Sequence, residues 1–105
     1  MIYSKFGIGQ QIRHRLLGYL GVIIDVDPEY SLEKPKSDDI SYEEKLRFHP
    51  WYHVVMESED GKQVHAYLAE SQIRYESFII HPNHPLLDEL SKIISLQILS
   101  NKIKN

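Results

Sequence analysis

The chain has 105 residues, of which 42% are hydrophobic and 26% charged, and its formal net charge is −3 at pH 7. This length allows one small domain, and the hydrophobic content excludes a wholly disordered polypeptide. The weak negative charge argues against a protein that coats polyanions without selectivity. The chain has no cysteine, which excludes disulfide bonds, a thiolate nucleophile and a thiolate metal site, and which suits a reducing compartment.

Targeting signals are not recognisable in the sequence. Residues 1–9 lack the continuous apolar run of a secretory signal, and no stretch approaches the roughly 18 apolar residues that a membrane span requires. We therefore predict a cytoplasmic protein with no membrane partner.

The charges are segregated along the chain. Residues 1–24 carry three bases and no acid, for a local charge of +3, whereas residues 25–60 carry eleven acids and four bases, for −7. The remaining residues carry five bases and four acids, for +1. A basic first segment thus precedes an acidic middle, and the net charge hides both.

The first predicted strands lie in the basic segment and just after it. Residues 10–15 form a short, polar candidate strand. In residues 20–26, apolar residues at every second position alternate with a face that becomes polar toward its end, which is typical of a strand. The dipeptide Asp27-Pro28 is expected to end it.

Two further strands are predicted to form a hairpin. Residues 52–57 are rich in β-branched and aromatic side chains, and residues 62–68 alternate between two faces. Asp60-Gly61 lies between them, and Asp-Gly is among the strongest short hairpin signals. With a short fifth strand over residues 72–75, the pattern predicts a small closed or half-closed antiparallel barrel.

Residues 30–50 interrupt the strand pattern. They contain Pro35, a Ser-Asp-Asp cluster and many charges, and about 20 residues is long for a connection in a compact domain. We expect an acidic excursion here, with a turn of helix over residues 41–48, because Ser41 and Glu44 fit a capping box.

From residue 85 to 105 the hydrophobic period becomes helical. One sector holds six residues and forms the predicted core-facing stripe, namely Leu86, Leu87, Leu90, Ile93, Ile94 and Ile98. A second stripe of Leu96, Leu99 and Ile103 lies on the opposite side. This second stripe either contacts a partner or another subunit, or is buried because the tail wraps over the barrel.

The sequence offers no recognisable catalytic motif. It has no GxSxG elbow and no Ser-His-Asp grouping that spacing identifies. Gly7-Ile8-Gly9-Gln10 lacks the third glycine, the preceding strand and the following helix of a phosphate-binding loop. We therefore expect no enzyme activity and no cofactor.

Six histidines raise the question of a metal site, but no pair has the HExxH arrangement. Scattered structural histidines are the favoured interpretation, so no metal is predicted. The hairpin brings His53 and His65 close together, where they titrate together or serve as ordinary sheet residues. A metal-binding protein that uses these two histidines is the third and weakest functional hypothesis. Asp25 and Asp27 share one side of their strand and are interpreted as solvated acids.

A cluster of bases in the first segment is the candidate DNA site. It consists of Lys5, Arg13, His14 and Arg15, with the two arginines pointing the same way on a strand. Such a cluster suits contacts to phosphates or to guanine in a groove. On composition alone, a solvated strand face is the favoured alternative.

Four segments together carry a family resemblance. They are residues 6–14 (FGIGQQIRH), 19–28 (YLGVIIDVDP), 50–57 (PWYHVVME) and 67–70 (YLAE). In this order and spacing they resemble the YccV-like family of hemimethylated-DNA-binding domains, and within it the HspQ heat-shock branch. The resemblance covers about residues 1–73 and is looser beyond Tyr75.

The resemblance implies a mainly β fold, a small SH3-like antiparallel barrel of about five strands with a C-terminal α-helix. We expect one domain over residues 1–105, with the barrel over 1–75, its acidic excursion at 30–50, and a linker and helix over 76–105.

The resemblance also implies function by binding rather than catalysis. Its leading implication is a heat-shock protein that is both a substrate and a specificity-enhancing partner of Lon protease, acting on denatured or regulatory client proteins. The alternative implication is binding of hemimethylated DNA at a replication origin. Self-association, with a trimer as one form, would give the stripe of Leu96, Leu99 and Ile103 a use.

Overall fold

A computed structural model describes residues 4–28 and 49–104, with side chains through residue 101. The elements in chain order are β1 (Gln11–His14), β2 (Leu20–Asp27), β3 (Trp51–Glu57), β4 (Gln63–Ala69), a 3₁₀ turn (Glu70–Gln72), β5 (Ile73–Tyr75) and α1 (Pro85–Lys104). The predicted fold class, mainly β with five antiparallel strands and a C-terminal helix, is confirmed.

The five strands form one antiparallel sheet in the order β4-β3-β2-β1-β5. In the parts of the chain that the structure describes, β4 and β5 form no ladder with each other, so the sheet is not closed. The predicted helical turn at 41–48, the predicted excursion up to residue 48 and the side chain of Ile103 lie outside the described residues. The domain boundaries stay a prediction.

The predicted hairpin is confirmed between β3 and β4, which pair from Trp51↔Ala69 to Glu57↔Gln63. Gly61 lies in the connecting turn with a φ of 81°, a left-handed conformation that glycine adopts without steric cost. Its N–H donates to the carbonyl of Ser58 at 2.9 Å, which closes the turn.

A β-bulge interrupts the pairing of β2 with β3. Ile23 pairs with Val54, but the next pair along is Asp25 with His53, so Ile24 is an extra residue on β2. Beyond the bulge the register between β2 and β3 is shifted by one residue. The side chains of β2 that follow it therefore lie on the opposite face from the one they would otherwise take.

The two faces of the sheet bury two separate apolar clusters. The larger cluster consists of Phe6, Ile12, Ile23, Tyr52, Val54, Met56, Leu68 and Ile73. The smaller one, on the opposite face, joins Leu20 and Val22 of β2 to Leu87 of α1. The helix therefore packs on the sheet face that does not hold the main core.

The helix contacts the sheet through a narrower sector than predicted. Leu87 is fully buried, and Leu90 and Ile94 pack against it. Leu86 and Ile93, predicted to face the core, are 64% and 45% exposed, so that part of the prediction is wrong. The two residues lie about 100° or more around the helix from Leu87. A single helix on a small sheet buries a narrower sector than this, so both side chains reach solvent.

The second stripe of the helix projects outward. Leu96 and Leu99 are both more than half exposed, at 55% and 54%. The described part of the chain therefore leaves these two side chains uncovered. For them, the alternative in which the tail wraps over the barrel and buries both stripes is excluded.

Gly9 is the point of closest approach between the N-terminal segment and α1. Its carbonyl accepts a hydrogen bond from the Ser91 hydroxyl, and its N–H donates to the carbonyl of Ile23 at 2.7 Å. Its φ is 90°, and a Cβ there would lie 2.9 Å from Ser95 Oγ and 3.2 Å from Ile94 Cγ2. Both the backbone angle and the helix therefore require glycine.

A charged network fixes the start of α1 to β1. Arg13 Nε donates to Glu76 Oε2 at 2.8 Å, and His81 Nε2 lies 2.9 Å from the same oxygen. On its other side, His81 Nδ1 lies 2.7 Å from Asp88 Oδ1 in the first turn of the helix. The Gln11 side chain donates to that oxygen at 2.6 Å. The side chains of His81 and Glu76 are buried, whereas those of Arg13 and Asp88 are partly exposed, so only the centre of the network is shielded from water.

The network lowers the pKa of both carboxyls. Burial by itself raises the pKa of Glu76, but hydrogen bonds from Arg13 and His81 outweigh it and hold the pKa below its ordinary value. Burial likewise raises the pKa of Asp88, and hydrogen bonds from His81 and Gln11 lower it further than burial raises it. Both groups are therefore stabilised as carboxylates in the folded chain.

Substitution of Gly9 tests the close approach to α1. We expect Gly9→Ala to lower the free energy of unfolding by about 1–3 kcal/mol, because the new Cβ both strains the backbone and displaces the helix. Gly7→Ala is the matched control, since a Cβ at Gly7 meets nothing within 4 Å. Urea denaturation measures both variants, and equal stability of the two would contradict this account.

Acid titration tests the charged network. We expect the free energy of unfolding to fall as the pH drops through the ordinary pKa values of 4.5 for Glu76 and 3.8 for Asp88 and below. The unfolded chain takes up these protons at a higher pH than the folded one, so the stabilisation is complete at neutral pH and is lost in acid.

The variant for this titration is Asp88→Asn, with Glu89→Gln on the exposed side of the helix as its control. We expect Asp88→Asn to be about 1–3 kcal/mol less stable at neutral pH and less sensitive to acid. Urea denaturation at a series of pH values measures this. The same acid sensitivity in both variants would show that the network does not carry the effect.

Candidate nucleic-acid interface

A cleft lies where the segment before β1 meets the 3₁₀ turn and β5. Its volume is about 600 Å³, within the range of ligand-binding clefts. Ten of the described residues line it, namely Lys5, Phe6, Arg15, His49, Ala69, Glu70, Ser71, Ile73, Arg74 and Tyr75. We call it the basic cleft, because three of these ten residues are lysine or arginine and one is a glutamate.

The three cations of the basic cleft come from distant parts of the sequence. Lys5 and Arg15 flank β1, and Arg74 lies in β5. The pairing of β1 with β5 continues past His14, where the Arg15 N–H donates to the carbonyl of Gln72 at 2.8 Å, and this brings Arg15 beside β5. The Lys5 N–H donates to the Glu70 side chain, which brings Lys5 to the 3₁₀ turn just before β5. Arg15 also donates to the carbonyl of Ile73 at 3.3 Å, which holds its guanidinium near β5.

Glu70 gives the cleft one negative charge and is itself fixed in place. Its Oε2 accepts hydrogen bonds from the backbone N–H of Lys5 at 3.1 Å and from the Tyr52 hydroxyl at 2.5 Å. Burial and then the hydrogen bond to Glu70 raise the pKa of the Tyr52 phenol, which stays a donor at neutral pH. Glu70 therefore ties the N-terminal segment to the sheet.

Tyr75 supplies an aromatic surface at the edge of the cleft. The residue is 62% exposed, and its ring centroid lies 4.8 Å from that of Phe6. An exposed ring beside cations is the combination on which bases stack in nucleic-acid-binding proteins.

The structure brings together only two of the four residues predicted as DNA contacts. Lys5 and Arg15 both line the basic cleft, but Arg13 and His14 do not. The Arg13 guanidinium is held by Glu76 and by the carbonyl of Gly18. His14 Nδ1 accepts hydrogen bonds from the N–H groups of Leu16 and Leu17, at 3.2 and 3.0 Å, and so fixes the turn between β1 and β2.

Arg74 is the cleft residue that the sequence interpretation missed. It lies 59 positions after Arg15, and nothing local in a three-residue strand distinguishes it. Knowledge that residues 72–75 pair with residues 10–15 would have identified it, but strand order was not predicted.

The structure also places a group of metal-type donors on β2 and β3. His53 and His65 are close, as predicted, with ring centroids 5.4 Å apart. His53 also lies beside Asp25 and Asp27, and one ligand atom from each of these three residues lies within 4.8 Å of the others. The sequence interpretation considered the histidines and the acids separately and did not combine them.

An apolar surface lies outside the basic cleft. Phe78, Ile79 and Ile80, between β5 and α1, are 71%, 82% and 77% exposed, and we call these three the apolar segment. Exposed apolar residues that follow one another are typical of interaction sites. The stripe of Leu96 and Leu99 on α1 adds to the exposed apolar area.

No helix in the described residues is both long enough and apolar enough to cross a membrane.

Comparison with known families shows to which family the chain belongs. The family model described as "Hemimethylated DNA-binding protein YccV like" matches residues 4–97. The match spans all five strands and much of α1, so it extends well beyond the region in which the sequence resemblance is strong. The chain therefore belongs to the YccV-like family of hemimethylated-DNA-binding proteins.

Proposed function

We propose that this protein binds duplex DNA through the basic cleft, without catalysing a reaction, and that hemimethylated DNA is its preferred ligand. The observation that carries the proposal is that Lys5, Arg15 and Arg74 line one cleft beside the exposed ring of Tyr75. The name of the matched family supports the choice of ligand.

The charges of the cleft set the character of this binding. Lysine and arginine side chains contact phosphates, and each contact releases counterions, so affinity falls as salt rises. The cleft also holds Glu70, and the whole chain carries a net charge of −3, so strong nonspecific binding is not expected. We therefore expect moderate affinity with a slope of log K against log salt of about −3, one unit for each cation.

Substitutions in the cleft test this assignment. We expect Arg15→Ala and Arg74→Ala each to weaken binding and to reduce the magnitude of the salt slope by about one. Lys62→Ala in the β3–β4 turn removes the same charge away from the cleft and is the matched control. Fluorescence anisotropy with labelled hemimethylated, fully methylated and unmethylated duplexes measures affinity and preference.

Two outcomes would contradict the proposal. Equal affinity and salt slope for the Arg15→Ala/Arg74→Ala double variant and the Lys62→Ala control would remove the cleft from DNA binding. Equal affinity for the three duplexes would remove the preference for hemimethylated DNA.

We also propose a second function, in which the protein acts in the cytoplasm as a heat-shock partner of Lon protease. In this role it is itself degraded and also changes which denatured or regulatory clients are degraded. The favouring observation is the exposed apolar segment, Phe78 to Ile80, together with the outward stripe of Leu96 and Leu99. Exposed apolar surface suits contacts with a protease, with its clients, or with further copies of this chain, including a trimer.

Charged substitutions in the apolar segment test this second function. We expect Ile79→Asp/Ile80→Asp to abolish the effect of the protein on degradation of a model client by purified Lon. Leu16→Asp is the matched control, because Leu16 is an exposed apolar residue in the β1–β2 turn. Self-association is a separate measurement, made by sedimentation of the Leu96→Glu/Leu99→Glu variant beside the wild-type chain. A client degradation rate that is the same with and without the wild-type protein would contradict the adaptor role.

A further inference from the structure

The β-bulge on β2 brings three donor side chains of β2 and β3 together. Because Ile24 is extra, Asp25 pairs directly with His53, and Asp27 follows two residues later, opposite Trp51. Side chains at alternate positions of a strand share a face, so both aspartates lie on the face that carries His53.

The donor atoms of these residues are close enough to share one ion. One ligand atom from each of Asp25, Asp27 and His53 lies within 4.8 Å of the other two. His53 Nε2 and Asp27 Oδ2 are only 3.1 Å apart. Ligands of one ion, each about 2.1 Å from it, lie roughly 3 to 4 Å from one another, so small side-chain rotations complete the geometry.

Neighbouring groups already orient the three donors. The Tyr67 hydroxyl donates to Asp27 Oδ2 at 2.7 Å, and the backbone N–H of Val26 donates to Asp25 Oδ1 at 2.9 Å. The Tyr67 ring also lies against the His53 ring, with centroids 4.5 Å apart. Metal sites depend on such outer partners, because they fix the orientation of the ligands.

Comparison with the other histidine-carboxylate group shows why this one suits a metal. His81 also contacts two carboxylates, but Glu76 lies at Nε2 and Asp88 at Nδ1, on opposite sides of the ring. Those two carboxylates cannot reach one ion together. Within residues 4–28 and 49–101, only Asp25, Asp27 and His53 place three such donors on one point.

We propose that Asp25, Asp27 and His53 form a binding site for a divalent transition-metal ion, with Zn²⁺ as its representative. An imidazole nitrogen suits such ions, and two carboxylates supply charge to balance the ion. The side chains of Asp27 and His53 are 21% and 22% exposed, so the ion reaches the site from solvent and keeps water at its remaining positions. Mg²⁺ is not retained here, because it prefers oxygen ligands in octahedral geometry.

Metal titration of the full chain tests the site. We expect isothermal titration with ZnCl₂ to show one saturable site, and nuclear magnetic resonance to show a shift of the His53 ring signals at the same stoichiometry. Asp25→Asn and His53→Gln weaken Zn²⁺ binding by at least about tenfold, and Tyr67→Phe, which alters only an outer partner, by about tenfold. MgCl₂ in place of ZnCl₂ produces no saturable binding.

His84→Gln is the matched control, because His84 pairs with Glu57 away from this group. It should bind Zn²⁺ like the wild-type chain. Asp25 is exposed, so Asp25→Asn keeps the fold, and circular dichroism without metal verifies this. Absence of a saturable site, or equal binding by Asp25→Asn and His84→Gln, would overturn the proposal. Neither result depends on DNA binding at the basic cleft.

Discussion

The pairing of β1 with two neighbours is the constraint on which the rest of the structure depends. This strand has four residues, yet it forms ladders with β2 on one side and β5 on the other. Ile12 enters the main core, while Gln11 bonds Asp88 of α1 and Arg13 bonds Glu76, and both belong to the charged network. The chain on either side of β1 supplies two cations of the basic cleft. A short strand therefore organises the core, the helix and the cleft at once.

The division of cations between structure and surface follows from that arrangement. Arg13 is a base of the N-terminal segment, but it forms an ion pair with Glu76. This ion pair holds the segment between β5 and α1 against the sheet. Lys5, Arg15 and Arg74 line the basic cleft instead. Two arginines separated by one residue thus have different roles, because β1 ends between them and the chain changes direction.

Local patterns predicted the elements well, and long-range geometry explains what they missed. Alternation and the Asp60-Gly61 turn located the strands and the hairpin, because these signals act between neighbours in sequence. Arg74 was missed because strand order is not encoded in its surroundings. The grouping of His53 with two aspartates depends on a single extra residue, Ile24, which shifts the register. The helical period identified α1 but not the width of the sector that the sheet covers, so Leu86 and Ile93 were misplaced.

Because α1 contacts the sheet over only part of its length, it opens more readily than the strands do. Its contacts with the buried cluster of the sheet come from Leu87, Leu90 and Ile94 in its first half, whereas Leu96 and Leu99 project away. Regions with few buried apolar contacts form separate cooperative units that open at lower free energy than the core. Amide protons near the end of α1 should therefore exchange with solvent long before those of β2 and β3. The helix is the part of the fold that can be released while the sheet stays intact.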